Sequence, residues 1–209
     1  MGVDIISMSW TFSVLGNHKE AELIQVINDA HDAKILTFAS ASDQGFNRSS
    51  GSYPGKISGV FCIGAAKVSG VADDAASSES HFVFPGGSTA VKSPRITQVN
   101  STVTSDVVFG SSFATAVASG LAALILCCVE MCPFRDKYRN ELRQHKFMNA
   151  IFKSMASHSP KSSYIDVQSY FPPTFADKNV DEDRKDFEEA VAYIIRYVLE
   201  FLTHGRSSC

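Results

Sequence analysis

Apolar positions along the chain fall into two rhythms. Val3–Met8 and Lys34–Ala39 are short, almost continuous apolar runs of the kind found in strands covered on both faces. Between them, in Lys19–Ala33, Leu23, Val26, Ile27 and Ala30 recur at helical spacing, with acidic residues early where the helix dipole favours them. Strand, helix and strand in that order predict a parallel crossover. Val60–Ala66 (VFCIGAA) and Phe82–Phe84 add short strands, and Ser112–Cys128 predicts a long helix of small and apolar residues entered through Gly110-Ser111. The alternation places the chain in the α/β class, with a doubly wound and mainly parallel sheet.

Beyond that helix the pattern changes. Cys132–Lys146 is rich in basic residues and reads as a solvated surface segment, and Phe147–Met155 as a short helix. Ser157–Asp183 collects Pro160, Pro172, Pro173 and many polar residues, which predicts a loop. In Arg184–Thr203, Phe187, Val191, Ile194, Ile195, Val198 and Leu202 lie on one helical stripe, so a final helix is expected. The organisation read from this is a main domain with a surface helical extension over 1–156, a linker over 157–183, and a C-terminal helix and tail over 184–209.

Composition narrows the function classes. The chain has 209 residues, 44% apolar and 20% charged, which fits one globular domain with an appendage and excludes a disordered or collagen-like chain. A net charge of −3 gives no electrostatic footprint for nucleic acid or an anionic membrane. Phe113–Val129 is at the short edge of the membrane-spanning range and is diluted by Thr115, Ser119 and Gly120, so a buried helix is expected. The first nine residues carry no leader pattern and the five cysteines are an odd number, which together favour an intracellular protein with reduced thiols. Cys127, Cys128 and Cys132 have no histidine at a zinc-ligand spacing, and the acids at Asp73, Asp74, Asp181, Glu182 and Asp183 read as solvated loop residues, so neither a metal nor a cofactor is expected. Asn47-Arg48-Ser49 and Asn100-Ser101-Thr102 fit the glycosylation acceptor pattern by chance in that setting.

The segment that carries chemistry is Gly110-Ser111-Ser112-Phe113-Ala114-Thr115-Ala116, which runs into Gly120-Leu121-Ala122-Ala123-Leu124-Ile125-Leu126. A serine in the first turn of such a helix has its amide at positive dipole potential, where an oxyanion is stabilised; alone, it reads more readily as a helix cap. The segment resembles the nucleophile motif of the subtilisin-like serine peptidases, Gly-Thr-Ser-Met-Ala-Thr-Pro followed by a small-residue helix. Three further segments are similar in order and spacing. Ala39-Ser40-Ala41-Ser42-Asp43-Gln44-Gly45 resembles the family's oxyanion loop, Tyr53-Pro54 with Val60–Ala66 resembles its Tyr-Pro and following strand, and Phe84-Pro85-Gly86 resembles its Ala-Pro-Gly turn. Ile5-Ile6-Ser7-Met8-Ser9 is similar to the family strand that lines the substrate cleft.

The resemblance, over about residues 1–130, implies a subtilisin-type sheet, truncated at its N-terminal side, with a C-terminal helical appendage. It implies Ser112 as nucleophile of an endopeptidase acting on peptides or proteins, with Ser9, Trp10, Ala39, Ser40, Ala41 and Ser42 at the walls of the cleft. Two positions depart from the pattern: Ala116 stands where the family has proline, and Asp43 where it has the asparagine that donates to the oxyanion. An ionised carboxylate donates no hydrogen bond and repels developing negative charge. In the family the catalytic aspartate and histidine precede the cleft strand, and no segment of this sequence matches either. His18, His31, His81, His145, His158 and His204 all lack the family setting; His81 is near the Phe-Pro-Gly turn. The expectation is therefore a subtilase scaffold with little or no turnover by itself, and the alternative is a noncatalytic module that holds a peptide or protein. A sheet missing strands is also expected to expose an edge open to self-association.

Overall fold

A computed structural model describes residues 2–12, 17–43, 52–67, 69–74, 79–87, 110–130, 135–157, 163–170 and 196. The strands are β1 (Ile5–Met8), β2 (Leu36–Ser40), β3 (Val60–Ala66) and β4 (Phe82–Pro85), and they form one parallel sheet in the order β1-β2-β3-β4. Ile5 lies opposite Leu36, Phe38 opposite Phe61, and Ile63 opposite Phe82. β2 and β3 are buried at every position, whereas β1 is mostly exposed and pairs with β2 alone among the described residues.

Because side chains alternate across a strand, consecutive residues serve two cores. On one face α1 (Asn17–Asp32) brings Ile27, with Leu23 and Ile24 beside it, onto Met8, Ala39 and Val60. Val26, expected in that stripe, is 62% exposed, and Ile24 packs instead, since 23, 24, 27 and 30 make the tighter helical face. On the other face α2 (Ser111–Glu130) crosses all four strands and buries Ala114, Ala118, Leu121, Ala122 and Ile125 against Phe38, Phe61, Ile63 and Phe84. Helices on both faces of a parallel sheet make the domain doubly wound. α2 has the length and hydropathy of a membrane span, and half of its apolar window is buried against this sheet.

The basic segment is not merely a solvated excursion. It contains α3 (Arg135–Leu142), which buries Tyr138 and Leu142 in the α2 core, because residues four apart share one helix face. α4 (His145–Ser157) follows and inserts Phe152, fully buried, among four rings: Phe38, Phe61, Phe82 and Phe84, at centroid distances of 6.2, 5.6, 5.5 and 5.7 Å. Within the expected loop, residues 163–170 lie against β4. The Val83 amide donates to the Ser163 carbonyl, the Ile165 amide to the Val83 carbonyl, and Ile165 is buried; a short helix, α5 (Val167–Tyr170), completes the described part. The expected helix over 184–203 lies outside the described residues except for position 196, which is helical. Gln44, Gly45, the motifs at 47–49 and 100–102, Cys132, His158, the acids at 181–183 and His204 also lie outside them.

Candidate active site

Parallel strands deliver their following loops to one end of the sheet, and α2 begins there. Ser9 and Trp10 follow β1, Ala41–Asp43 follow β2, and the Phe84-Pro85-Gly86 turn closes β4. Gly110 enters α2 at φ +109° and donates its amide to the Gly86 carbonyl at 2.5 Å. A Cβ on Gly86 would sit 2.9 Å from the Gly110 carbonyl oxygen and 3.0 Å from the Ala114 Cβ, so glycine alone permits this approach of turn to helix. The buried Ser111 hydroxyl donates to the Ala41 carbonyl at 2.6 Å, tying the head of α2 to the end of β2.

Ser112, the next residue, is exposed. Its hydroxyl donates to the Ser9 carbonyl at 3.1 Å, and the Ser9 hydroxyl donates to the Ser112 carbonyl at 3.0 Å. Asp43 stands on the other side: both carboxylate oxygens accept from the Ser111 amide, at 3.1 and 3.2 Å, and a Cβ on Gly110 would approach the carboxylate to 3.0 Å. The loop after β1, the loop after β2 and the head of α2 thus converge on one spot.

Other cleft positions divide. Ser9 and Trp10 are exposed and Ser42 is half-buried, whereas Ala39, Ser40 and Ala41 are buried. Of those last three, expected as cleft walls, Ala39 packs with Met8, Ile27 and Val60 in the α1 core, and the Ala41 carbonyl accepts from the Ser111 hydroxyl. Sequence reasoning missed Phe12, and it singled out Tyr53 for the Tyr-Pro resemblance without placing it beside Trp10. Trp10 stacks on Phe12 at 5.3 Å and Phe12 on Tyr53 at 6.3 Å; the Lys56 ammonium lies 3.7 Å from the Tyr53 ring centroid, and paired backbone hydrogen bonds join Phe12 to Tyr53. The alternation Trp10-x-Phe12 was the available signal, since it sends both rings to one side of an extended segment.

The chemistry of the spot follows from its partners. The Ser112 proton is directed at a neutral carbonyl, which is too weakly basic to take it as attack proceeds. The Asp43 carboxylate already lies on the positive end of α2, where a second anion meets repulsion. Among the described histidines, exposed His18 pairs with Glu22 on the first turns of α1, at 3.2 Å. His81 precedes β4 and accepts from the Cys62 amide at 3.3 Å, at the opposite end of the sheet from Ser112. Burial pushes the Cys62 thiol up to about 12, helped by Glu79, and the Cys128 thiol up to about 11, helped by Cys127, so neither supplies a thiolate at neutral pH. No group of metal-ligating side chains occurs among the described residues.

Comparison with known families agrees with the fold. A profile of the subtilase family of peptidases matches residues 1–168. The chain belongs to the subtilase family. A search of curated proteins found no match. Among solved structures, the subtilase fold is shared with a mutant of the protease domain of PatA, with a TM-score of 0.56 and 18% identity over 85% of this chain and 62% of that one. It is shared with the prenylagaramide maturation protease PagA, with a TM-score of 0.54 and 18% identity over 79% of this chain and 60% of that one. A lanthipeptide protease aligns with a TM-score of 0.57 and 18% identity over 77% of this chain and 57% of that one. The chain spans less than two thirds of the length of each of these structures.

Proposed function

We propose that Ser112 is the nucleophile position of a subtilisin-type serine endopeptidase centre, and that the 209 residues by themselves do not turn peptides over. The observation that carries the reading is the Ser112 hydroxyl, exposed at the head of α2 and hydrogen-bonded to the Ser9 carbonyl in place of an imidazole. In a complete catalytic domain, segments bearing an aspartate and a histidine would take the proton from Ser112, the hydroxyl oxygen would add to the amide carbonyl, and the amine would leave with that proton to give an acyl-enzyme. Loss of the base costs several orders of magnitude in rate. The test is prolonged incubation of the chain with a library of internally quenched peptides, beside Ser112→Ala. Equal, background-level cleavage is expected from both, and cleavage abolished by Ser112→Ala contradicts the proposed inactivity.

A second reading has its own support in the aromatic ladder. Trp10 is 46% exposed next to Ser9 and is backed by Phe12 and Tyr53, so it offers a flat apolar surface without needing Ser112 to react. In that reading the chain is a noncatalytic peptide- or protein-binding module. Peptide binding that survives Ser112→Ala and weakens in Trp10→Ala favours it. Val3, two residues before β1, and Ile6 on β1, an edge strand among the described residues, are exposed and support self-association in either case, read out as a sedimentation coefficient that rises with concentration.

A further inference from the structure

At the end of the sheet remote from Ser112, three histidines from separate parts of the chain gather around the starts of β2, β3 and β4. His31, in the last turn of α1, places Nε2 3.0 Å from the Thr37 hydroxyl, and its ring lies over Gly59, where a Cβ would come within 2.2 Å of the imidazole. His81 uses Nδ1 as the acceptor for the Cys62 amide, a role open only to the unprotonated nitrogen. His145, the first residue of α4, lies against the Phe61 ring at 4.3 Å between centroids, with Nε2 sealed from water and, among the described residues, without a hydrogen-bond partner.

The settings of His81 and His145 suit a neutral ring and oppose an imidazolium, and burial acts in the same direction at His31. The head of α4 is the positive end of a helix dipole, and His145 interacts unfavourably with His31, His81 and Lys153. Burial and then those three groups push His145 down to about 4. Burial and Lys153 lower His81; burial lowers His31 against the opposing effects of the Gly59 backbone and Asp32. Further charges on the described segments around the cluster include Glu79, which acts on the Cys62 thiol, Lys146, which lies over the Phe147 ring, and Glu141 and Arg143 on the chain entering α4. The described residues contain no metal-ligating group here.

We propose that His31, His81 and His145 form an acid-released latch, which when neutral fastens the end of α1 and the start of α4 to the N-terminal ends of β2–β4 and when protonated lets α4 part from the sheet. The latch does not depend on whether Ser112 reacts. A folded-state pKa below the unfolded value of about 6.5 stabilises the fold fully above that value, and the contribution is lost as pH falls toward the folded pKa. For His145 alone, the step from about pH 7.5 to about pH 5 lowers the folding equilibrium constant about 30-fold if the ring were fully enclosed, and about tenfold once its partial exposure is allowed for.

The experiment is urea unfolding and amide hydrogen exchange of the full chain at both pH values, beside His145→Phe, which keeps the ring contact with Phe61 and removes the proton site. Wild type is expected to lose about tenfold more folding equilibrium constant than the variant, with α4 amides losing protection before those of α2. Equal acid losses in the two proteins overturn the latch. If His145→Phe does not fold, His81→Gln retains an acceptor for the Cys62 amide and is expected to flatten the pH dependence; an unchanged dependence overturns it. Proton NMR titration of wild type adds a readout without mutation: a His145 ring titrating near 4 supports the latch, and one near its ordinary value of about 6.5 refutes it.

Discussion

Replacing Asp43 separates its two effects, on the helix and on the chemistry. Its carboxylate accepts from the Ser111 amide at 3.1 and 3.2 Å, so it acts as a charged cap on the first turn of α2. Capping bonds are worth roughly 0.5–2 kcal/mol and a charge at the helix end roughly 0.3–1 kcal/mol, less when solvent screens it. Because Asp43 is exposed, Asp43→Ala is expected to cost about 1 kcal/mol, and Asp43→Asn, which keeps an acceptor oxygen, about half of that. In a chain of this size 1 kcal/mol moves Tm by about 3 °C. Thermal melts should therefore rank wild type above Asp43→Asn above Asp43→Ala, with the gap between wild type and Asp43→Asn closing as salt is added. Asp43→Ala melting with wild type would refute the capping assignment. Asn also brings an amide donor to the oxyanion side of Ser112, a gain of roughly 100- to 1,000-fold in enzymes that already have a base. Here the Ser112 proton still has, among the described residues, only the Ser9 carbonyl as its acceptor, so turnover should stay at background. Peptide hydrolysis by Asp43→Asn alone would refute the view that the missing base is the dominant deficit.

Two further outcomes test the fold. Phe152→Ala removes the ring at the centre of four others and is expected to destabilise the chain by about 3–5 kcal/mol, measured by urea unfolding, whereas Phe152→Leu should cost well under that. Lys34 ends α1 at φ +59°, with the Ile35 amide donating to the Ala30 carbonyl and the Lys34 amide to the His31 carbonyl, a geometry that favours glycine; Lys34→Gly is expected to raise stability by about 0.5–1 kcal/mol, seen as a higher Tm.

Strands and their parallel order were readable because β2 and β3 are continuous apolar runs, and α2 because small residues fill a helix that crosses the sheet. Ser112 and Asp43 were legible as motif positions, yet neither the contact of the Asp43 carboxylate with the Ser111 amide nor that of Ser112 with Ser9 was legible, since both join residues about 70 to 100 apart in the chain. The burial of Tyr138 and Leu142 was hidden because they are two isolated apolar residues in a segment dominated by charged ones. The histidine cluster was illegible for a similar reason: His31, His81 and His145 come from three distant segments and meet only because parallel strands begin at one end of the sheet. Phe152 belonged to an expected short helix, but its place among rings from β2, β3 and β4 required the sheet to exist first.

The most direct measurement on Ser112 is mass spectrometry of the chain after exposure to a fluorophosphonate, which forms a covalent bond only with an activated serine hydroxyl. The expected result is an unmodified mass, the same as for Ser112→Ala, because the hydroxyl is bonded to a backbone carbonyl and no imidazole adjoins it among the described residues. Stoichiometric addition to wild type that disappears in Ser112→Ala would mean that a base within this chain already activates Ser112, and the proposed division between subtilase scaffold and catalytic competence would be wrong.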